Sequence, residues 1–246
     1  MSTSRKVALV TGSATGVGRA CAVRFAKLGY AVAVNYSKSE ADAQETVRLV
    51  EACGVPVVLC KANLGSDAEV RQMIATTEAA FDRIDVLVNN AGTTHFVDHT
   101  NLDGLTEQVW DDILQVNVKG TFYCIRAAMP LLKMVKGNIV NVTSVAGLTG
   151  QGSSIPYAAS KAALNCMTQS LAKAFGPDVR VNAVAPGPIN TRWLAGREAH
   201  IAKYLEQCPL GRAADPDDIA DAVIYLATGT TLTTGQVLVV DGGRTM

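Results

Sequence analysis

No apolar run in this 246-residue chain approaches the ~20 residues that a membrane-crossing helix needs. The longest runs are strand-length, and no membrane partner is expected. The chain also lacks an excess of charge. Its 22 Lys and Arg balance 22 Asp and Glu, and no basic block or stripe stands out. Nucleic acid is therefore not expected as a partner. Metal-ligand patterns are missing too. Cys21, Cys53, Cys60, Cys124, Cys166 and Cys208 are scattered, with no Cys-x-x-Cys and no histidine at ligand spacing. They read as reduced thiols of a cytoplasmic protein, and no metal site is expected. The segment Met1 to Lys6 is short and polar and leads into a strand, so no secretory signal is expected. No linker, repeat or low-complexity stretch interrupts the sequence. One domain over residues 1–246 is expected. A chain of this length buries about three quarters of its unfolded surface and needs no disulfide or metal to hold it.

What is present is alternation. Short apolar strands are expected at Lys6–Val10, Ala31–Asn35, Val57–Cys60, Val86–Asn89, Gly137–Thr143, Val179–Ala185 and Gln236–Val240. Helical patterns separate them, over about Gly18–Leu28, Ala41–Cys53, Asp67–Phe81, Thr106–Leu132, Ala158–Phe175 and Pro216–Leu226. Strands alternating with helices of this length imply βαβ units and a parallel sheet covered on both faces. Pro156 suits the first turn of the helix that carries Tyr157, with Ser153 or Ser154 as its cap. Val145-Ala146-Gly147 reads as flexible, and the mixed pattern of Ile189 to Ala214 reads as a mobile lid over the strand ends.

Four stretches carry chemistry. Thr11-Gly12-Ser13-Ala14-Thr15-Gly16-Val17-Gly18 lies between a strand and a helix. In that context glycines let the backbone approach a pyrophosphate at the helix N-terminus. Tyr157 and Lys161 stand four residues apart on one helix face. An ammonium beside a phenol favours the phenolate, which would make the tyrosine a usable acid and base near neutrality. A solvated helix face would explain the same spacing. Asn117 interrupts the apolar run Ile113–Val118. Its amide needs partners, either in a structural hydrogen bond to a neighbouring strand or at a local bend with a bound water. Ser144 follows the fifth strand, at the end where parallel sheets place their ligands. His95 and His99, in the irregular stretch Thr93–Leu105, read as solvated surface residues.

Together, Thr11-Gly12-x-x-x-Gly16-x-Gly18, Asn89-Asn90-Ala91-Gly92, Asn117, Ser144, Tyr157-x-x-x-Lys161 and Pro186-Gly187 resemble the short-chain dehydrogenase/reductase family. The resemblance covers essentially the whole chain. It is nearest to the 3-oxoacyl-acyl-carrier-protein reductases and the related sugar and alcohol dehydrogenases. It implies an α/β fold, a single Rossmann-like doubly wound domain with a seven-stranded parallel sheet, assembled as a homotetramer or homodimer. It also implies an oxidoreductase that moves a hydride between a nicotinamide and a ketone or secondary alcohol. Tyr157 would be the general acid and base. Lys161 would lower the phenol pKa and hold the nicotinamide ribose, Ser144 would bond the substrate oxygen, and Asn117 would keep a relay water. The cofactor path would run along Gly12, Ser13, Thr15, Gly16, Val17 and Gly18, then Tyr36, Ser37 and Lys38. It would continue past Asn63, Leu64, Asn90, Ala91 and Gly92 to Tyr157, Lys161, Pro186, Gly187, Ile189 and Thr191.

The second strand bears on which cofactor binds. An NAD site normally offers an acid about 20 residues beyond the glycine turn. Asn35-Tyr36-Ser37-Lys38 contains none, while Ser37 and Lys38 suit a 2′-phosphate. NADP(H) is expected, with NAD(H) as the alternative, since Thr15 is not basic and Glu40 is near. The competing functional readings are an NAD-dependent sugar, polyol or diol dehydrogenase and a non-catalytic nucleotide-binding regulator on the same fold. Acyl-carrier-protein substrates would need a basic surface by the active-site mouth, for which Lys133, Lys136 and Lys173 are candidates.

Overall fold

The computed structural model describes residues 5–194, 196, 202 and 204–246. Seven strands form one parallel sheet: β1 (Val7–Val10), β2 (Ala31–Tyr36), β3 (Val57–Lys61), β4 (Val86–Asn89), β5 (Asn138–Val142), β6 (Arg180–Pro186) and β7 (Val237–Val240). Their order is β3-β2-β1-β4-β5-β6-β7, and every pairing is parallel. This is the expected Rossmann-like α/β architecture. The chain winds outward from β1 in one direction, then returns to its other side with β4. The order reverses between those two strands, which opens a crevice at their carboxyl ends.

The strands are nearly uniform apolar runs because both faces are covered. Successive residues still point to opposite faces. Ala8 and Val10 join a core with α1 (Gly16–Lys27), α2 (Glu40–Glu51) and α8 (Pro216–Ile224), where Cys21, Phe25 and Ile219 are fully buried. Leu9 faces the other core, with α3 (Asp67–Phe81), α5 (Thr121–Met134) and α7 (Ile155–Phe175), where Met73, Ile125 and Leu132 are buried. Each such large side chain contributes about 1.5–3 kcal/mol by leaving water.

Three expectations change. The long helix over Thr106–Leu132 is two helices, α4 (Glu107–Leu114) and α5, joined by a π-helical turn at Gln115–Gly120. The extra residue of such a turn re-aims the chain, and here it contains Asn117. The stretch read as flexible at Val145–Gly147 opens a short helix, α6 (Ala146–Thr149), packed against α7. A side-chain carbon on Gly147 would lie 2.5 Å from the Lys161 carbonyl carbon, so the absence of one permits that contact. The Tyr157 helix begins at Ile155 rather than Ala158, with Ser154 as its cap. Part of the lid over 189–214 (residues 195, 197–201 and 203) lies outside the described residues. Its base is anchored: Ile189 bridges Ala214, and Asn190 N donates to Ala214 O at 2.8 Å.

The π turn leads α5 past the β3–α3 connection at contact distance. A carbon added to Gly120 would meet Leu64 O at 2.7 Å and Leu64 Cβ at 2.9 Å. Gly120→Ala should therefore destabilise the fold by the ~1–3 kcal/mol typical of overpacking. Urea unfolding measures it, and a variant as stable as the parent would show that this crossing has slack.

Candidate active site

At the crevice, the turns after β1 and β4 lock together. Thr11 Oγ1 accepts from Asn90 N at 3.0 Å and Ala91 N at 3.1 Å. Asn90 Nδ2 donates to the carbonyls of Thr11 and Gly12, at 2.9 and 3.1 Å. Gly12, at φ +61°, comes so near that a side-chain carbon there would lie 2.8 Å from Ala91 Cα. One on Gly18 would lie 2.4 Å from Gly12 O. Asn35 holds the turn from the other side. Its Oδ1 accepts from Gly12 N at 3.0 Å, while its Nδ2 donates to the carbonyls of Cys60 and Ala62.

These residues fit a dinucleotide. The N-terminus of α1 has no side-chain cap from Thr15 and no acid in its first turn, so its N–H groups and helix dipole are open to an anion in the crevice. Among the described residues, Gly16, at φ +56°, has only Thr191 Cγ2 near the position of an added carbon, at 3.4 Å. Not every residue expected along the path offers its side chain. Ser13 is fully buried, with Oγ donating to Val10 O and accepting from Asn35 N, and Val17 and Leu64 are core residues. Asn63 is exposed, with Oδ1 held by Gly65 N at 3.0 Å. Tyr36 is buried, with Glu40 near its phenol, while Ser37 and Lys38 are exposed at the end of β2. Pro186 accepts from Val145 N, and Gly187 N donates to Val240 O, which fixes the β6 end from which Ile189 and Thr191 depart.

Asn117, Ser144, Tyr157 and Lys161 converge beyond the ends of β4 and β5. Asn117 is fully buried. Its Oδ1 accepts from Thr93 N at 2.8 Å, and its Nδ2 donates to Thr93 O and Ser160 Oγ, both at 3.0 Å. Both readings of this residue hold in part: it sits at a bend, and its amide is engaged by protein groups. A carbon on Gly92 would be 3.3 Å from Asn117 Oδ1 and 3.8 Å from Lys161 Nζ, so this glycine leaves room at the centre. Lys161 is buried, and its Nζ donates to Val142 O at 2.9 Å. Ser144 Oγ accepts from Ala146 N at 3.1 Å at the start of α6, and its hydroxyl lies near the Tyr157 phenol.

The expected lowering of the Tyr157 phenol pKa is not found. Burial pushes the phenol up to about 12, with the nearby Ser144 hydroxyl pulling the other way, and burial pushes the Lys161 ammonium down to about 8. Desolvation outweighs attraction because Nζ is directed at Val142 O and lies 5.7 Å from the tyrosine ring centroid. The arrangement is thus a phenol with a serine hydroxyl nearby and a buried amine beside it. It can hand a proton to an oxygen held between Tyr157 and Ser144.

Other candidates fall elsewhere. His95 Nε2 lies 3.0 Å from Asp112 Oδ2. Lys133 pairs with Asp178 at 3.7 Å near the end of α5, and Lys136 lies just before β5, at the opposite end of the sheet from Ser144. Lys173 is 16 residues along α7 from Tyr157, about 24 Å at 1.5 Å per residue. These lysines do not border the mouth of the site. Sequence reading missed the supporting roles of Thr11, Asn35 and Ser160. A polar residue in an otherwise apolar strand, as at Asn35, was the available signal.

A family model described as enoyl-(acyl carrier protein) reductase matches residues 12–245. A Streptomyces violaceoruber chain, assigned as ketoacyl reductase 2 of the granaticin polyketide synthase, is 45% identical over 242 residues, covering 96% of this chain and 95% of that one. A 3-oxoacyl-[acyl-carrier-protein] reductase of Staphylococcus epidermidis is 38% identical over 245 residues, covering 98% and 99%. A crystal structure from Burkholderia xenovorans, assigned to the short-chain dehydrogenases/reductases, superposes with a TM-score of 0.93 at 35% identity, covering 99% of both chains.

Holding Lys161 charged in a dry site has a cost. Its folded pKa, about 8, lies below the ordinary 10.5, so the folded state loses the proton first and stability rises with pH between those values. Lys161→Met should therefore stabilise the chain near pH 7 by on the order of 1–3 kcal/mol, with a gain that shrinks as pH climbs through that window. Urea unfolding near pH 7 and near pH 9.5 tests this. A variant that is less stable near neutrality would mean that the bond to Val142 outweighs desolvation.

Proposed function

Because the chain belongs to the short-chain dehydrogenase/reductase family of oxidoreductases, we propose that it reduces a ketone to a secondary alcohol with NADP(H), and that Tyr157 supplies the proton. The observation that carries this reading is the gathering of Tyr157, Ser144, Asn117 and the buried Lys161 at the sheet's carboxyl edge, adjoining the glycine cradle through Gly92. The nicotinamide would supply the hydride. Ser144 would hold the carbonyl oxygen, and Tyr157 would donate to it as negative charge develops. Lys161 would hold the nicotinamide ribose hydroxyls with donors not directed at Val142. Gly12, Gly16 and Gly18 would admit the pyrophosphate to the start of α1. Asn63, Leu64, Asn90 and Ala91 would border the adenosine. Pro186, Gly187, Ile189 and Thr191 would border the nicotinamide end. With the Asn117 amide engaged by Thr93 and Ser160, a water relay from Lys161 would run along the main chain of the π turn. The names of the relatives favour a 3-oxoacyl compound as the ketone. We place a second copy of this chain against β7. That strand is a sheet edge on which Leu238 and Val239 remain 36% and 37% exposed.

Tyr157→Phe should lower turnover ~10²–10⁴-fold while leaving cofactor affinity nearly intact. Undiminished turnover would remove Tyr157 from the reaction. With the phenol raised to about 12, alcohol oxidation should keep climbing from about pH 7 to 10, whereas ketone reduction keeps its proton donor over that range. An early plateau in oxidation would place the titrating group elsewhere. Comparing kcat/KM for NADPH and NADH decides the cofactor, and a clear NADH preference would overturn that part alone. Leu238→Lys should lower the mass seen in sedimentation. An unchanged mass would put the interface on another face.

A further inference from the structure

The start of the segment after β6 reaches across the cofactor crevice and ends on the α2 side. Thr191 lies over Gly16. The next residue, Arg192, donates from Nη1 to Asp42 Oδ2 at 2.9 Å and from Nη2 to Ser39 Oγ at 3.2 Å. These partners are about 150 positions away in sequence. They lie at the start of α2, directly beyond Ser37 and Lys38. An arginine near this strand end is what accommodates an adenosine 2′-phosphate in a dinucleotide fold.

The local charges show why a second cation matters. The first turn of α2 carries Glu40 and Asp42, so a phosphate arriving at Ser37 and Lys38 would meet two carboxylates. Glu40 lies near the Tyr36 phenol. Asp42 is faced by Arg192, and by Arg19 at 4.0 Å. Arg19 is otherwise engaged by Ala14 O and Thr46 Oγ1. Ser39, the N-cap residue, makes no capping bond, and its hydroxyl accepts from Arg192 instead. Arg192 thus meets Ser39 at the residue next to the exposed Lys38.

The geometry points to Arg192 as a specificity residue that binds the adenosine 2′-phosphate bidentately from above, exchanging Asp42 for the phosphate while Lys38 binds from the side. This rests on the NADP(H) reading and extends it to a residue outside the β2–α2 turn. A guanidinium suits the role because its fork matches phosphate geometry, and one charge-assisted contact of this kind is worth about tenfold in affinity.

The test measures binding to the full-length chain by calorimetry, using adenosine 2′,5′-bisphosphate, AMP, NADPH and NADH. Arg192→Met should weaken the bisphosphate and NADPH about tenfold and leave AMP and NADH within twofold. Asp42→Asn removes the competitor and should tighten the bisphosphate. That gain should be smaller when Arg192→Met is also present, because the two substitutions act on one contact. Unchanged bisphosphate affinity in Arg192→Met overturns the inference, as does an equal loss for bisphosphate and AMP, which would make Arg192 a general strap. The NADP(H) reading is judged separately on the parent chain. A parent that binds NADH as tightly as NADPH overturns that reading, whereas a selective loss of bisphosphate in the variant upholds the Arg192 contact.

Discussion

The approach of Gly12 to Ala91 is the contact on which the site depends. Two strands that are neighbours in the sheet but about 80 positions apart in sequence end in turns that touch backbone to backbone. Any side chain at Gly12 would separate them, and its positive φ would be strained in any other residue. Once they touch, Asn90 and Ala91 donate four hydrogen bonds to Thr11 and Gly12, and the crevice has a rigid floor. Everything beyond that floor is placed by reference to it. Gly92 continues the β4 turn to Asn117 and Lys161, and Gly18 seats the start of α1 on the carbonyl of Gly12.

The second constraint is the cluster around Asn117. One buried amide joins the β4 exit at Thr93 to α7 at Ser160, and it does so from a π turn. A regular helix through Gln115–Gly120 would rotate each later residue by about 100° relative to its present direction. The bend therefore sets both where Asn117 points and which face α5 lays on the sheet. Stability and site geometry are coupled here, because Gly120 meets Leu64 in the same turn.

Much of this was legible in sequence. The strands are runs such as Val7–Val10 and Ala31–Tyr36, and the glycine turn is marked by its own residue types. The spacing of Tyr157 and Lys161 correctly put both on one helix. What the sequence could not carry was the balance of forces at that pair. Spacing predicts that two side chains are near, but not that Val142 O captures the ammonium or that burial moves both groups against ionisation. The π turn was likewise hidden, since Glu107–Met134 has a continuous helical pattern and the break is imposed by tertiary bonds to Thr93 and Ser160. Lys133, Lys136 and Lys173 failed for a simpler reason. Helices antiparallel to the strands carry their last residues to the far end of the sheet.

The β2–α2 region shows the same limit for charge. Reading a window of sequence, Asn35–Lys38 lacks an acid, and the local balance favours a phosphate. The folded chain changes the inventory: α2 brings Asp42 into range, Glu40 lies near Tyr36, and the segment after β6 delivers Arg192 to Asp42 and Ser39. Charges a few ångströms apart at a partly buried edge interact by several times what they would in bulk water. The preference of such a site is therefore set by residues that converge from three parts of the chain, and a motif confined to one strand end reports only one of them.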